Sequence, residues 1–380
     1  MAQRREQAAL YSLSPEREAR VSPRTPGDTP DGTPTSAADP RVRSVYSQQS
    51  SDGRMAPMTV RNVQIPDLYC PFDPAVHRDV AEVHAQSIAW AKAMGLAPNE
   101  AQVKALHKAK VGWLVGRAFP VAHDLPALQI AADWTTLFCL IDNKIETIRG
   151  PAVSHVYLKS LLNVFREGAA PVIVDPFSQA FRDLRERMLA VNVPAWIERF
   201  GEHLDRLFRT FVDEAKYRQL EAVPALGTYR KMREVSVGLY FGFRLGELTD
   251  TITLPAAVRE DPTVRSLESK AAYIVGLAND IYTIEKEMAK GEVNNMVLVL
   301  MQEEHLDFDQ ALARAVELHD TETREYSALT RRLPSFTKEV DEELRRYVDV
   351  LTSMISGHRT WATETTRYSG GDDTSGVFHG

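Results

Sequence analysis

Residues 263–290 read TVRSLESKAAYIVGLANDIYTIEKEMAK, and apolar side chains recur along this segment at helical spacing. Asn279, Thr283 and Glu287 follow one another at intervals of four, so on a helix they lie along one stripe. An amide carbonyl, a hydroxyl and a carboxylate form an oxygen-only set of ligands, which suits Mg²⁺. Lys286 lies beside Glu287, within reach of a phosphate oxygen. The segment therefore predicts a long helix that carries a cation site; the alternative is the polar face of an ordinary amphipathic helix.

Helical periodicity continues on both sides of this segment, with short breaks at Pro, Gly or Asp. Alternation of apolar and polar residues, which is typical of half-buried strands, is nearly absent, and no internal repeat occurs. The pattern predicts a single all-α domain at residues 61–370, a helical bundle with room for a central cavity. Its other helical segments are predicted at about residues 74–94, 99–118, 124–148, 152–166, 175–191, 194–222, 227–249, 292–304, 308–332 and 335–368.

The two ends of the chain differ from this body. Residues 1–60 are rich in Pro, Ser, Thr, Gly and Arg, as in SPRTPGDTPDGTPTSAADP, and show no apolar periodicity. Such a composition buries too little apolar surface to offset the conformational entropy of the chain. We expect a disordered extension without a catalytic role at residues 1–60 and a flexible tail at residues 371–380.

Composition excludes several classes of function. The chain has 380 residues and a formal net charge of −7, which gives no electrostatic footprint for nucleic acid and no polybasic membrane anchor. The two cysteines, Cys70 and Cys139, lie far apart, so neither a disulfide framework nor a CxxC metal site is indicated. No apolar stretch approaches the roughly 20 residues of a membrane helix. We therefore expect a cytoplasmic protein with no nucleic-acid partner and no membrane anchor.

A second polar constellation occurs in LFCLIDNKIE, residues 137–146. Asp142 and Glu146 are four residues apart, so on a helix their carboxylates project from one face, while Asn143 and Lys144 turn away. The preceding run is largely apolar, which places the two carboxylates at the end of a buried helix. Carboxylates at the rim of an apolar cavity are costly unless a cation compensates them. A solvated helix end with an acidic pair remains the alternative.

Basic residues supply the remaining candidates. Arg233 lies in YRKMREVSVG, and Arg367 and Tyr368 are adjacent in WATETTRYSG, with Trp361 about two turns earlier. The planar fork of an arginine matches phosphate oxygens and stays charged at any cellular pH, and a tyrosine donates one further hydrogen bond. Taken singly, such residues are more often ordinary surface residues.

In this order, the elements resemble those of the bacterial class I terpene synthases. The segment VGWLVGRAFPVAHDLPALQIAADWTTLFCLIDNKIE is similar to the family's approach to its aspartate-rich motif, and NDIYTIEKE is similar to its second metal motif. Arg233 precedes Asn279 by about the interval of the family's diphosphate-sensing arginine, and TRYSG resembles its C-terminal Arg-Tyr pair. The resemblance covers about residues 65–370.

The resemblance implies a class I terpenoid synthase-like helical bundle around a central active-site cavity. It implies an enzyme that ionises a linear prenyl diphosphate with three Mg²⁺ ions and cyclises the carbocation, and it makes a homodimer plausible. Farnesyl diphosphate is the first choice of substrate, and geranylgeranyl diphosphate, for a diterpene cyclase, is the alternative. The implied metal ligands are Asp142, Glu146, Asn279, Thr283 and Glu287. The implied diphosphate-binding residues are Arg233, Lys286, Arg367 and Tyr368. Candidates for the cavity wall, each of which is otherwise plain core, are Trp134, Phe138, Ser236, Val237, Tyr240, Phe241 and Trp361.

The chain departs from the family pattern at two places. The aspartate-rich motif reads Asp-Asn rather than Asp-Asp, with Lys144 nearby, and the segment after Arg233 carries Glu234 in place of a second arginine. The flexible position that follows the sensor is occupied by Ser236 and Val237. These changes bear on the rate and on product fidelity more than on the fold.

Three other functions compete with this reading. A prenyl elongase of the same superfamily carries two fully aspartate-rich motifs, whereas the second motif here has the Asn/Thr/Glu form. A catalytically silent prenyl-diphosphate-binding protein is suggested only by Asn143. A purely structural helical protein requires all the elements to coincide by accident. The sequence leaves open the length of the substrate, the product skeleton, and whether the last cation loses a proton or captures water.

Overall fold

A computed structural model describes the backbone of residues 43–49 and 55–60 together with residues 63–192 and 194–368. The body of the molecule is built from helices joined by short connections. Its elements are α1 (Val80–Ala93), α2 (Glu100–Ala109), α3 (Val111–Ala118), α4 (Leu125–Thr147), α5 (Pro151–Glu167), α6 (Pro176–Val191), α7 (Pro194–Leu220), α8 (Leu226–Ser236), α9 (Leu239–Thr249), α10 (Ala256–Arg259), α11 (Pro262–Lys290), α12 (Met296–Glu303), α13 (Phe308–Leu329), a 3-10 turn at Thr330–Arg332 and α14 (Lys338–Glu364).

Two strands precede the helices. Strand β1 (Arg43–Gln49) pairs antiparallel with β2 (Met55–Val60), with Val45 opposite Met58. These two segments lie within residues 1–60, where the sequence predicts a disordered extension, and that division of the chain stays a prediction. The rest of that prediction, and the flexible tail predicted at residues 371–380, lie outside the described residues.

The segment that decides the fold forms α11, as predicted. The helix begins because Asp261 caps it, its carboxylate accepting from the backbone N–H of Thr263 at 2.7 Å, and because Pro262 fits the first turn. It ends at Gly291, whose φ of +74° suits a glycine cap. Helix α11 packs against α8, α13 and α14, so its polar stripe faces the interior of the bundle.

Two segments predicted as single helices are each split in two. Residues 99–118 break at Lys110, which has a φ of +51°, and residues 227–249 break at Val237 and Gly238, where Gly238 has a φ of +81°. At Gly238 a Cβ atom would lie 2.7 Å from the ring of Phe138, so both the backbone angle and the space require glycine. The break at Val237 and Gly238 borders the central cavity.

The buried apolar residues form two large clusters that meet along α11, and the predicted all-α fold is confirmed for the body of the molecule. A cluster of aromatic rings near the middle includes Trp134, whose ring centroid lies 5.3 Å from that of Phe165 and 5.0 Å from that of Phe200. Each buried aromatic side chain of this size removes a large apolar area from water. Within the described residues, no helix is long and apolar enough to cross a membrane.

Candidate active site

A cavity of about 150 Å³ lies between α3, α4, α8, α9, α11 and α14. One part of its wall is apolar and the other end is polar and charged. The apolar wall includes Leu114, Val115, Phe119, Phe138, Val237, Phe241, Leu245, Val275, Met354 and Trp361. The polar end includes Asp142, Arg233, Ser236, Asn279, His358, Arg367 and Tyr368.

The oxygen stripe of α11 begins at the polar end of this cavity with Asn279, which lines it, and continues through Thr283 and Glu287, which do not. The side-chain oxygen of Asn279 accepts from the Arg233 guanidinium, and its amide nitrogen donates to the Tyr368 hydroxyl at 2.6 Å. The Thr283 hydroxyl donates to the backbone carbonyl of Asn279 at 2.7 Å, and Glu287 accepts from the Asn295 amide at 2.8 Å. The helical spacing thus places three oxygen-bearing side chains in a line that runs outward from the cavity.

An ion pair with a buried carboxylate holds Arg233 in place. Its Nε lies 2.8 Å from the carboxylate of Asp280, which is fully buried and also accepts from the Tyr229 hydroxyl at 2.8 Å and from the backbone N–H of Met296 at 3.0 Å. Burial opposes the charge of the guanidinium, but Asp280, together with Tyr229, Glu287 and Glu214, outweighs burial and holds the pKa of Arg233 above its ordinary value. A cation fixed on one side by a buried carboxylate keeps its remaining donors for the cavity.

The two carboxylates of α4 are both engaged by basic side chains. Asp142 accepts from Arg367 at 3.1 Å, and Glu146 accepts from the Lys290 ammonium at 3.0 Å. Burial, with the nearby Glu146 charge adding to it, raises the pKa of Asp142. Burial also disfavours ionisation of Glu146, but Lys290, together with Lys286 and Arg218, outweighs burial and lowers the pKa of Glu146. Asn143, predicted to turn away, is buried and accepts from Arg367 at 3.4 Å.

The segment after α14 brings Arg367 and Tyr368 back to the cavity. It is docked at the break between α2 and α3, where the Ala109 carbonyl accepts from Trp361 Nε1 at 3.0 Å and from the Thr365 hydroxyl at 2.8 Å. The Lys286 ammonium donates to the backbone carbonyl of Arg367 at 3.1 Å. Burial and the Arg367 charge lower the pKa of Lys286 to about 8.

The structure separates the predicted cavity wall into two groups. Phe138, Ser236, Val237, Phe241 and Trp361 line the cavity. Trp134 and Tyr240 do not: Trp134 is 2% exposed inside the aromatic core, one helical turn deeper than Phe138. Tyr240 lies against a separate recess and donates to Glu234, the residue that replaces the family's second arginine.

Three polar residues at the site were not predicted from the sequence. Asp280 fixes Arg233, Asn295 donates to Glu287, and His358 lines the cavity with its Nε2 3.0 Å from the Tyr368 hydroxyl. Their hydrogen-bond and ion-pair partners are distant in the sequence or come within reach only in the folded structure. The Asn-Asp pair at residues 279–280 was the only available hint, because it puts a carboxylate beside a proposed ligand on a buried helix.

Comparison with known proteins identifies the family. The model of terpene synthase family 2, C-terminal metal binding, matches residues 133–325, and a germacrene A synthase from Nostoc punctiforme is 30% identical over 307 residues, 80% of this chain and 94% of that protein. The chain belongs to the terpene synthase family.

Other comparisons agree with this assignment. This terpene synthase is 34% identical over 306 residues to a (+)-T-muurolol synthase from Roseiflexus castenholzii, which is described as cyclising (2E,6E)-farnesyl diphosphate; the match covers 80% of this chain and 93% of that enzyme. The crystal structure of an α-eudesmol synthase superposes with a TM-score of 0.71 over 78% of this chain and 99% of that one, at 21% identity. The structural match supports the fold, and the sequence matches support the enzyme class. The family model also indicates dependence on a divalent metal.

Proposed function

We propose that this terpene synthase binds a linear C15 prenyl diphosphate, farnesyl diphosphate, with Mg²⁺ and cyclises the chain after loss of diphosphate. One observation carries the proposal: an apolar cavity ends where oxygen ligands and guanidinium groups meet. Asp142 and Asn279 stand there beside Arg233 and Arg367. Such a site binds the apolar chain of a substrate in one part of the cavity and its anionic head group in the other.

The donor set fits a hard divalent cation. Asp142, Asn279, Thr283 and Glu287 offer only oxygen atoms, which is the ligand type of Mg²⁺. Nowhere in residues 63–192 and 194–368 do three His, Cys, Asp or Glu side chains come together as a metal-holding group, so the set on α11 relies on an amide and a hydroxyl as well. Mg²⁺ is commonly bound by one or two carboxylates and by phosphate oxygens of the substrate. When bound, it would neutralise charge that develops on the diphosphate leaving group.

The basic residues have two sets of partners available to them. Arg233 now donates to Asn279, and Arg367 donates to Asp142. A diphosphate offers both guanidinium groups stronger, doubly charged acceptors in a bidentate geometry. Lys286 and the Tyr368 hydroxyl lie beside them and complete a cradle of donors. These preorganised donors stabilise the negative charge of the departing diphosphate, which lowers the barrier to breaking the carbon–oxygen bond.

The apolar part of the cavity controls what the cation does next. Phe138, Phe241 and Trp361 present aromatic rings to it, and ring faces stabilise a nearby positive charge. The ring centroids of Phe138 and Phe241 lie 5.1 Å apart, on either side of Gly238. Exclusion of bulk water from this apolar part would prevent early capture of the cation. The folding of the substrate against these rings would select the product skeleton.

The choice of substrate rests on similarity of the sequences. The (+)-T-muurolol synthase named above acts on farnesyl diphosphate, and a 10-epi-cubebol synthase from Sorangium cellulosum is 30% identical over 308 residues. We extend the C15 substrate to this chain on that basis. The number of Mg²⁺ ions, three, and the homodimer stay predictions; titration calorimetry with diphosphate and sedimentation analysis would test them.

Incubation of the purified protein with Mg²⁺ and C10, C15 or C20 prenyl diphosphate tests the proposal. We expect gas chromatography to show a cyclic C15 hydrocarbon or alcohol as the main product. A cyclic product from the C20 substrate alone would replace the sesquiterpene assignment with a diterpene one. Longer linear diphosphates would indicate an elongase, and the absence of any terpene from all three substrates would refute cyclisation.

A further inference from the structure

His358 lies on α14, in the wall of the central cavity, and no part of the proposed mechanism uses it. Its side chain is buried, with the ring packed against Trp361 and Tyr368 at centroid distances of 5.9 and 6.2 Å. Burial, and then the charge of Arg233, lower the pKa of His358 to about 3. The imidazole is therefore neutral at pH 7, with one nitrogen that donates and one that accepts.

Hydrogen bonds connect this histidine with the diphosphate-binding end of the cavity. The Arg233 guanidinium donates to the side-chain oxygen of Asn279, and the Asn279 amide donates to the Tyr368 oxygen at 2.6 Å. The Tyr368 oxygen lies 3.0 Å from His358 Nε2. His358 thus ends a chain of polar contacts in which Tyr368 is the penultimate member.

The position of the proton on His358 decides what Tyr368 does. If Tyr368 donates to His358, its only proton is committed, and the buried Nδ1 of His358 carries an N–H group without a hydrogen-bond partner. If His358 donates through Nε2, the Tyr368 oxygen accepts two hydrogen bonds and its proton is free. Buried N–H groups without a hydrogen-bond partner are rare in proteins, whereas buried acceptors without a partner are somewhat more common. The second arrangement is therefore favoured.

We propose that His358 is a positioning residue that donates from Nε2 to the Tyr368 oxygen, so that the Tyr368 hydroxyl proton is directed at the substrate diphosphate. This inference rests on the proposed function, since it assumes a diphosphate at that end of the cavity. It assigns a specific role to a residue outside both metal motifs. It also makes the effect of His358 on diphosphate binding dependent on the Tyr368 hydroxyl.

A double-mutant cycle on diphosphate affinity tests this dependence without requiring turnover. Calorimetry with inorganic diphosphate and Mg²⁺ is carried out on the wild type, His358→Leu, Tyr368→Phe and the double variant. One neutral hydrogen bond corresponds to a change of about three- to tenfold in affinity. We expect each single variant to bind diphosphate about three- to tenfold more weakly, and the double variant to bind no more weakly than Tyr368→Phe.

Two amide variants separate positioning from packing. The Gln amide reaches about as far as Nε2 of a histidine, and the Asn amide only as far as Nδ1. We expect His358→Gln to retain the wild-type affinity and His358→Asn to match His358→Leu. Thermal unfolding of all five variants, the double variant included, verifies that they fold.

The ¹⁵N spectrum of histidine-labelled wild-type protein, with the His358→Gln variant to assign the signal, shows directly which nitrogen is protonated. A protonated Nε2 supports the proposal, and a protonated Nδ1 overturns it. Additive losses in the double variant, or no loss in His358→Leu, would also overturn it. A wild type that binds diphosphate with the expected coupling but makes no terpene would instead refute the proposed function.

Discussion

Asn295 is the residue through which the structure connects the proposed metal helix with the helix that follows. It is fully buried, and its Oδ1 caps α12 by accepting from the backbone N–H of Val297 at 2.8 Å. Its Nδ2 donates to the backbone carbonyl of Asp280 at 2.9 Å and to the Glu287 carboxylate at 2.8 Å. Replacement by alanine therefore removes a helix cap and the contact that orients a proposed ligand.

The size of the effect follows from these contacts. Loss of an N-cap costs about 1 kcal/mol, and loss of a hydrogen bond to a charged group costs about 1.5–3 kcal/mol when both partners are buried. Glu287 is only half-buried, so its contribution lies at the lower end. We expect Asn295→Ala to lower the free energy of unfolding by about 2–4 kcal/mol. We also expect it to raise the Mg²⁺ concentration for half-maximal turnover about tenfold, since a tenfold change corresponds to about 1.4 kcal/mol.

Urea unfolding and a Mg²⁺ titration of terpene formation measure the two effects separately. Asn295→Asp keeps the capping oxygen but places a buried carboxylate against Glu287 and the Asp280 carbonyl, so it should lower the stability at least as much as Asn295→Ala. The matched control is Asn294→Ala, which loses one bond of 3.2 Å to the carbonyl of Glu214 and none to Glu287. If Asn295→Ala unfolds within about 0.5 kcal/mol of the wild type and needs no more Mg²⁺, the positioning of Glu287 by Asn295 is refuted.

Further predictions concern pH, the cavity wall and the core. With its pKa near 8, Lys286 is charged below that pH, so kcat/KM should fall as the pH rises through about 8, and Lys286→Arg should move this decline to higher pH; an unchanged profile would exclude a role for its charge. Gly238→Ala should destabilise the protein by more than about 1 kcal/mol in urea unfolding and alter the product pattern, because its φ is +81° and its Cβ would meet two aromatic rings. Phe138→Leu should change the ratio of products on gas chromatography with little loss of stability, whereas Trp134→Ala should lower the free energy of unfolding by about 3–5 kcal/mol and leave the ratio unchanged. If Phe138→Leu destabilised the protein and Trp134→Ala changed the product ratio, Phe138 would belong to the core and Trp134 to the cavity wall.

The helix that carries the polar stripe could be predicted in full from local information. Asp261, Pro262 and Gly291 mark its two ends, and the spacing of Asn279 and Glu287 fixes their common face whatever the rest of the chain does. Helical periodicity and helix caps depend on residues that are close together in the sequence, so both can be recognised from a single sequence. The same reasoning explains why α4 and most other helices lie close to their predicted positions.

Features that depend on tertiary packing could not be predicted in this way. The break at Lys110 lies where Trp361 and Thr365 donate to the Ala109 carbonyl, and the break at Gly238 lies against the rings of Phe138 and Phe241. Trp134 and Phe138 share a helix face, and only the depth of the cavity assigns one to the core and the other to the wall. The role proposed for His358 depends on Tyr368, which lies ten residues further along the chain.

The central claim, metal-dependent ionisation and cyclisation of farnesyl diphosphate, is tested most directly by measuring released diphosphate and terpene product in the same reaction. We predict one diphosphate per cyclic C15 product with Mg²⁺, and neither product with a chelator or with the Glu287→Ala variant. Release of diphosphate with only linear farnesol, or full activity with the chelator or in the Glu287→Ala variant, would contradict the account.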